Sequence, residues 1–163
     1  KNWKPPKGLT DSKELSAKQR ADIYPALQNL PMAIIQAANN VIDAVGVKAA
    51  LLSAHTMAVQ RMLVDYPDAD VVVDGVFVLP DVPRARCVPK ADAIFPAVSA
   101  ASVIAKVNRD HVMHHHHLQV PHYGFDTNVG YGTKEHEAGL KKYGVCELHR
   151  RSYRPIQKLL EKT

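Results

Sequence analysis

The stretch Ala69 to Gly75, Ala-Asp-Val-Val-Val-Asp-Gly, constrains this chain more than any other. Three consecutive valines predict a strand covered on both faces, because side chains that alternate between two sides are all apolar. Asp74 sits where that strand ends and Gly75 opens a turn, so a carboxylate emerges from an apolar wall. Taken alone, this is a strand running into a turn. A second carboxylate, Asp92, closes Lys90-Ala91-Asp92 on the far side of a loop containing prolines and arginines, and the chain carries a net charge of +5 with histidine neutral. Two carboxylates brought to one sheet edge on a cationic chain point to divalent-metal and phosphate chemistry.

With 163 residues, 46% of them apolar, the chain is long enough for one domain with its own core. Its positive balance favours a polyanionic partner without selecting one. Cys87 and Cys146 lie far apart and form no Cys-x-x-Cys pair, which argues against a disulfide framework and for a reducing interior. No apolar run approaches the roughly 20 residues a bilayer requires. The opening Lys-Asn-Trp-Lys-Pro-Pro-Lys has no signal-type apolar segment. The expectation is a monomeric cytoplasmic protein with no membrane partner.

Residues 1 to 15 read as extended or looped. Ser16 and Gln19 have the spacing of a capping box, predicting a helix over Ala17 to Tyr24 that Pro25 kinks or ends. Met32 to Ala37 reads as a strand. Asp43 reads as the N-cap of a long helix reaching about Val64, with Val45, Ala49, Leu52, Val59 and Leu63 on one stripe. Strand, helix and the strand at Ala69 to Val73 make a crossover unit, so the sheet is at least partly parallel. The next helix begins near Phe95-Pro96, is dense in small residues over Ala97 to Ala105, and continues to about His114–His117. Its small face suits close approach to the sheet. Four adjacent histidines point about 100° apart in turn and cannot all serve one metal, so they read as a solvated helix end.

Glycines at 124, 130 and 132 predict a tight loop that exposes backbone, with Tyr131 held flat between two of them as a stacking surface for a sugar or base. Thr133 caps a helix that runs from Lys134 to about Tyr143 and is ended by Gly144. The basic run His149-Arg150-Arg151-Ser152-Tyr153-Arg154-Pro155 precedes a short helix, Ile156 to Lys162. On its own such a run is a solvated surface. A nucleotide-binding role for Gly130-Tyr131-Gly132 is weak, because that loop does not follow a predicted strand.

Six stretches, taken in order, resemble the type 2 ribonuclease H family, the bacterial ribonucleases HII. They are Gly8-Leu9-Thr10-Asp11-Ser12-Lys13-Glu14-Leu15-Ser16, Val72-Val73-Asp74-Gly75, Lys90-Ala91-Asp92, Ser99 to Asp110, Gly130 to His136, and His149 to Pro155. The resemblance covers nearly the whole chain. It implies an α/β fold, a ribonuclease H-like mixed sheet flanked by helices, over a single domain 1–163 whose part from about 120 to 163 is a helical C-terminal extension. It further implies a metal-dependent endoribonuclease that cleaves the RNA strand of RNA–DNA hybrids and single ribonucleotides in duplex DNA. Asp74 and Asp92 would be catalytic ligands of Mg²⁺ or Mn²⁺, Tyr131 would stack on the sugar beside the ribonucleotide, and Lys106, Arg109, Arg150 and Arg151 would contact phosphates.

The chain departs from the family pattern in one large respect. Nothing in it matches the family's opening Gly-x-Asp-Glu-x-Gly-Arg-Gly segment on the first central strand, which carries two of four active-site carboxylates and a loop that senses the ribose 2′-hydroxyl. The expectation is an N-terminally truncated member, missing that strand and inactive by itself. Smaller departures are Val41 in place of Glu, Val129 in place of Lys, and Pro25. The competing class is a non-catalytic module that binds RNA–DNA hybrids through the same basic residues without a metal.

Overall fold

The computed structural model describes residues 3–161, so Lys162, at the expected end of the last helix, lies outside the described residues. These contain seven α-helices and a two-stranded parallel sheet, an α/β arrangement. They group into two compact units: Lys1–Ile35 with His55–Asn108, and Gln36–Ala54 with Arg109–Thr163. No single described helix is long and apolar enough to cross a membrane.

In the first unit, helix α1 spans Ala17–Leu27. The capping box at its start is formed in both directions: Ser16 Oγ accepts from the Gln19 amide at 3.2 Å and Gln19 Oε1 accepts from the Ser16 amide at 2.8 Å. Pro25 lies inside α1, and the helix ends two residues later. Strand β1, Val72–Asp74, includes the carboxylate that the sequence placed at its end. It pairs in parallel with β2, Arg86–Val88, Asp74 lying opposite Val88. The segment holding β2 reads from sequence as loop, since a three-residue strand gives no periodicity. Only Val73 of the valine run is buried; Val71 and Val72 are half-exposed.

Met32 to Ala37 forms no strand: the segment pairs with nothing among the described residues, and the crossover expected to link it to β1 is absent from them. An apolar run suits a strand, but a ladder also needs a partner, which lies elsewhere in the sequence. The core of this unit instead joins Leu15, Ile23 and Leu27 to Ala100, Val103, Ile104 and Val107. The small face of the 96–119 helix thus meets α1 rather than the sheet.

The expected single helix from Asp43 to Val64 is two. Helix α2 is Asn39–Val45 and α3 is Val47–Asp65, separated by Gly46 at φ 82°. Asp43 lies within α2, so it does not cap α3, and Val45, assigned to the buried stripe, is 55% exposed. Helix α4, Pro96–Gln119, begins where Phe95-Pro96 predicts and absorbs all four histidines in its last turns. His114 and His115 are exposed; His117 Nδ1 lies 3.0 Å from Asp126 Oδ1.

The second unit gathers Met113, Tyr123, Phe125, Leu140 and Ile156 into its core. The expected glycine loop contains a 3₁₀ turn at Pro121–Tyr123 and a single-turn helix α5, Phe125–Asn128. Thr133 caps α6, Lys134–Tyr143, by accepting from the His136 amide at 3.3 Å, and Gly144 ends it. A side chain at Gly139 of α6 would collide with the carbonyl oxygen of His122, so the helix packs on that turn at backbone contact. Helix α7, Arg154–Leu160, starts two residues before the expected Ile156, because Pro155 is accepted in a first helical turn.

Candidate nuclease site

Asp74 and Asp92 are tied to one local structure. Oδ1 of Asp74, at the end of β1, accepts from the Ala91 amide at 2.9 Å. Ala91 opens the 3₁₀ turn Ala91–Ala93 that carries Asp92, and Lys90 enters that turn in the left-handed region at φ 56°. Asp92 is 6% exposed. Burial pushes its carboxyl above the usual carboxylate range; the negative charges of Asp11 and Asp74 and a hydrogen bond with Asp11 add to this, while Lys13 opposes it.

Asp11 is the carboxylate that reading the residues one motif at a time misses. Its neighbours Ser12 and Lys13 were visible only as part of a family stretch. The structure brings that stretch to Asp92 through serines. The Ser12 amide donates to Ser102 Oγ at 3.3 Å, Ser102 Oγ donates to the Ser99 carbonyl at 2.9 Å, and Ser99 Oγ donates to the Asp92 carbonyl. Lys13 Nζ lies 3.8 Å from Asp11 Oδ2. A cavity of about 170 Å³ opens beside Asp92, with Pro6, Leu9, Thr10, Ile94, Pro96 and Ser99 in its wall.

This donor set fits a hard divalent cation in kind. Carboxylate oxygens suit Mg²⁺ and Mn²⁺, and a bound cation would offset the negative charges of Asp11 and Asp74 that add to the effect of burial on Asp92. Among the described residues no three His, Cys, Asp or Glu side chains are arranged to hold an ion at one point.

In the second unit three of the residues expected at phosphates and sugar come together. A side chain built on Gly130 would reach 3.0 Å from Arg109 Nη2, so the Arg109 guanidinium lies over that glycine. Lost hydration, then the adjacent charge of Arg150, pull the Arg109 pKa down, with Asp110 and Tyr131 opposing; the group stays cationic. Tyr131 is 66% exposed. Arg150 is laid over the Tyr153 ring, 3.8 Å from guanidinium carbon to centroid, and its Nη1 donates to the Tyr153 hydroxyl at 2.6 Å. Arg151 is exposed, and Lys106 is half-buried on α4 in the first unit.

Below this surface, His149 is buried edge-on against Tyr123, ring centroids 4.8 Å apart. Its Nδ1 accepts from the Cys146 amide at 3.1 Å, closing the turn that leads into the arginines. Burial, then the charge His136 would carry, hold its pKa below the usual histidine range, against the opposing pull of the Cys146 carbonyl, which accepts from the protonated ring.

The family model for ribonuclease HII matches residues 5–156. This chain belongs to the ribonuclease HII family. Among its relatives, ribonuclease HII of Rhizobium johnstonii is 39% identical over 156 residues, 94% of this chain and 67% of that protein. The Desulforamulus reducens enzyme is 40% identical over 159 residues, 96% of this chain and 79% of its own length. The Enterococcus faecalis one is 41% identical over 156 residues, 94% of this chain and 60% of its own. The chain therefore spans roughly two thirds of the length of the ribonucleases HII it matches. The family is one of ribonuclease H-type endonucleases.

Proposed function

We propose that the chain is the carboxylate- and phosphate-binding part of a metal-dependent endoribonuclease acting on the RNA strand of RNA–DNA hybrids and on single ribonucleotides in duplex DNA. The observation that carries this reading is the hydrogen bond from the Ala91 amide to Asp74 Oδ1, which joins one carboxylate to the buried turn that bears the other, Asp92. Asp74 and Asp92 would hold Mg²⁺ or Mn²⁺, with Asp11 next to them. When bound, such an ion lowers the pKa of a coordinated water and stabilises charge on the leaving oxygen. The chain's own part is to hold the Asp74 carboxylate on the Ala91 amide and, through Ser99 on the Asp92 carbonyl, to fix the backbone of the turn that presents Asp92. Arg109 and Arg150 would grip backbone phosphate, and Tyr131 would stack on the neighbouring sugar.

Two carboxylates supply only −2 and hold a hydrated Mg²⁺ weakly, so cleavage by these 163 residues alone is expected to be slight. The test is a labelled duplex with one ribonucleotide, incubated with Mn²⁺ or Mg²⁺, beside calorimetric titration of Mn²⁺ into the wild type and Asp74→Asn. Metal binding lost in Asp74→Asn, with any nick lost alongside it, supports the reading. Wild-type and variant chains that take up Mn²⁺ equally would refute it. Salt-sensitive hybrid binding that ignores divalent ion would favour the non-catalytic module.

A further inference from the structure

The segment between α6 and α7 carries Arg150 and Arg151, yet it has no regular structure of its own to hold them. It is held from α2. Asp43 Oδ2 accepts from the Arg151 amide at 2.8 Å, and Oδ1 accepts from the Ser152 amide at 2.9 Å and the Ser152 hydroxyl at 2.6 Å. One helical turn earlier on the same face, Asn39 Nδ2 donates to the carbonyls of Glu147 at 2.6 Å and His149 at 3.4 Å. Five hydrogen bonds from two side chains of a seven-residue helix thus span the segment from 147 to 152. All of these residues lie in the second unit.

A carboxylate beside arginines is an odd choice on a surface meant for a polyanion, because it cancels part of the attraction. We propose that Asp43, assisted by Asn39, is a positioning residue that orders the 147–152 segment so that Arg150 and Arg151 meet backbone phosphate in register. This rests on the reading of those arginines as phosphate contacts. The bonds from Ser152, hydroxyl first, also hold the Asp43 carboxyl below the usual carboxylate range, as expected of an acceptor saturated by donors.

Charge and positioning predict opposite signs. Were Asp43 only a surface charge, Asp43→Asn or Asp43→Ala would tighten binding to any polyanion. As a positioning residue its loss must weaken binding. The experiment measures anisotropy of a labelled RNA–DNA hybrid, without divalent ion and over a range of salt, for the wild type, Asp43→Ala, Asp43→Asn and Asn39→Ala. Limited trypsin digestion after Arg150 and Arg151 is followed in parallel, as a readout of segment order independent of ligand.

The expected result is about tenfold weaker binding by Asp43→Ala, the scale of a lost charge-assisted bond. Asp43→Asn, which keeps one acceptor oxygen, should lose less, and trypsin should cut both variants faster. Unchanged or tighter binding by the Asp43 variants, or unchanged cutting after Arg150 and Arg151, overturns the proposal. The double variant Arg150→Ala with Arg151→Ala separates the two layers. If it binds the hybrid as the wild type does while Asp43→Ala is cut faster, the phosphate reading has failed and the ordering of the segment by Asp43 has not.

Discussion

The Ala91 amide donates to Oδ1 of Asp74 at 2.9 Å, so one carboxylate is anchored on the backbone immediately before the other. The bond takes up one lone pair of Asp74 and leaves its second oxygen to other partners. It also means that the turn bearing Asp92 cannot shift without moving Asp74. Two acidic side chains that repel each other are kept as neighbours by main-chain geometry, and the folded state bears that repulsion.

Asp92→Asn should therefore raise the melting temperature at neutral pH while removing divalent-ion binding. The sign follows from linkage. A carboxyl whose folded pKa is raised binds more protons folded than unfolded, so its stabilising contribution is full below the ordinary value of 3.8 and is lost as pH rises through the raised value. The gain from Asp92→Asn should shrink as pH approaches 3.8 from above. Thermal melts at several pH values check this, and a variant less stable than wild type at pH 7 would sink it.

His149 predicts the opposite slope. Its folded pKa is depressed from 6.5, so the unfolded chain takes up a proton that the buried ring refuses, and stability falls as pH drops from about 6.5 through the lower folded value. The protection of amides in Tyr123, Phe125 and the 146–149 turn, taken relative to the intrinsic exchange rate at each pH, should fall over that range. His149→Gln should flatten the dependence while lowering stability overall, through lost packing on Tyr123.

At Gly130, φ is +86° and an added Cβ would press on Arg109 Nη2. Gly130→Ala should cost about 1–2 kcal/mol in backbone strain alone and also weaken hybrid binding by displacing Arg109. Gly132 has no positive φ and open space around it, so Gly132→Ala is the control and should bind like the wild type.

What could be read from the sequence was what is decided within a few residues. The Ser16–Gln19 box, the Thr133 cap, the Gly144 stop and the start of α4 at Pro96 each depend on a single turn of chain, and each stands in the structure. The strand expected over Ala69 to Val73 was legible for the same reason, although the ladder holds only Val72–Asp74. Elements that depend on distant partners were misread. Met32 to Ala37 has strand composition and no ladder, while Arg86–Val88 has no strand signal and is recruited by β1. Asp43 has an N-cap's composition, but its acceptor oxygens are claimed by amides 108 and 109 residues away. The site divides the same way. Asp74 and Asp92 were picked out by their motifs, whereas Asp11 comes to Asp92 only by folding, through a serine relay that reads locally as mere smallness on a helix.

The backbone contact between α6 and the turn at Pro121–Tyr123 has a consequence for how this surface can evolve. With the His122 carbonyl oxygen 2.4 Å from where a Cβ would stand, any side chain at position 139 would force α6 and that turn apart. His136, nearly one turn earlier on α6, is pinned to the Tyr123 carbonyl at 3.2 Å. Natural variation in substrate handling has little room on that inner face, and must be written into the outward side chains of the helix and the loops at its two ends.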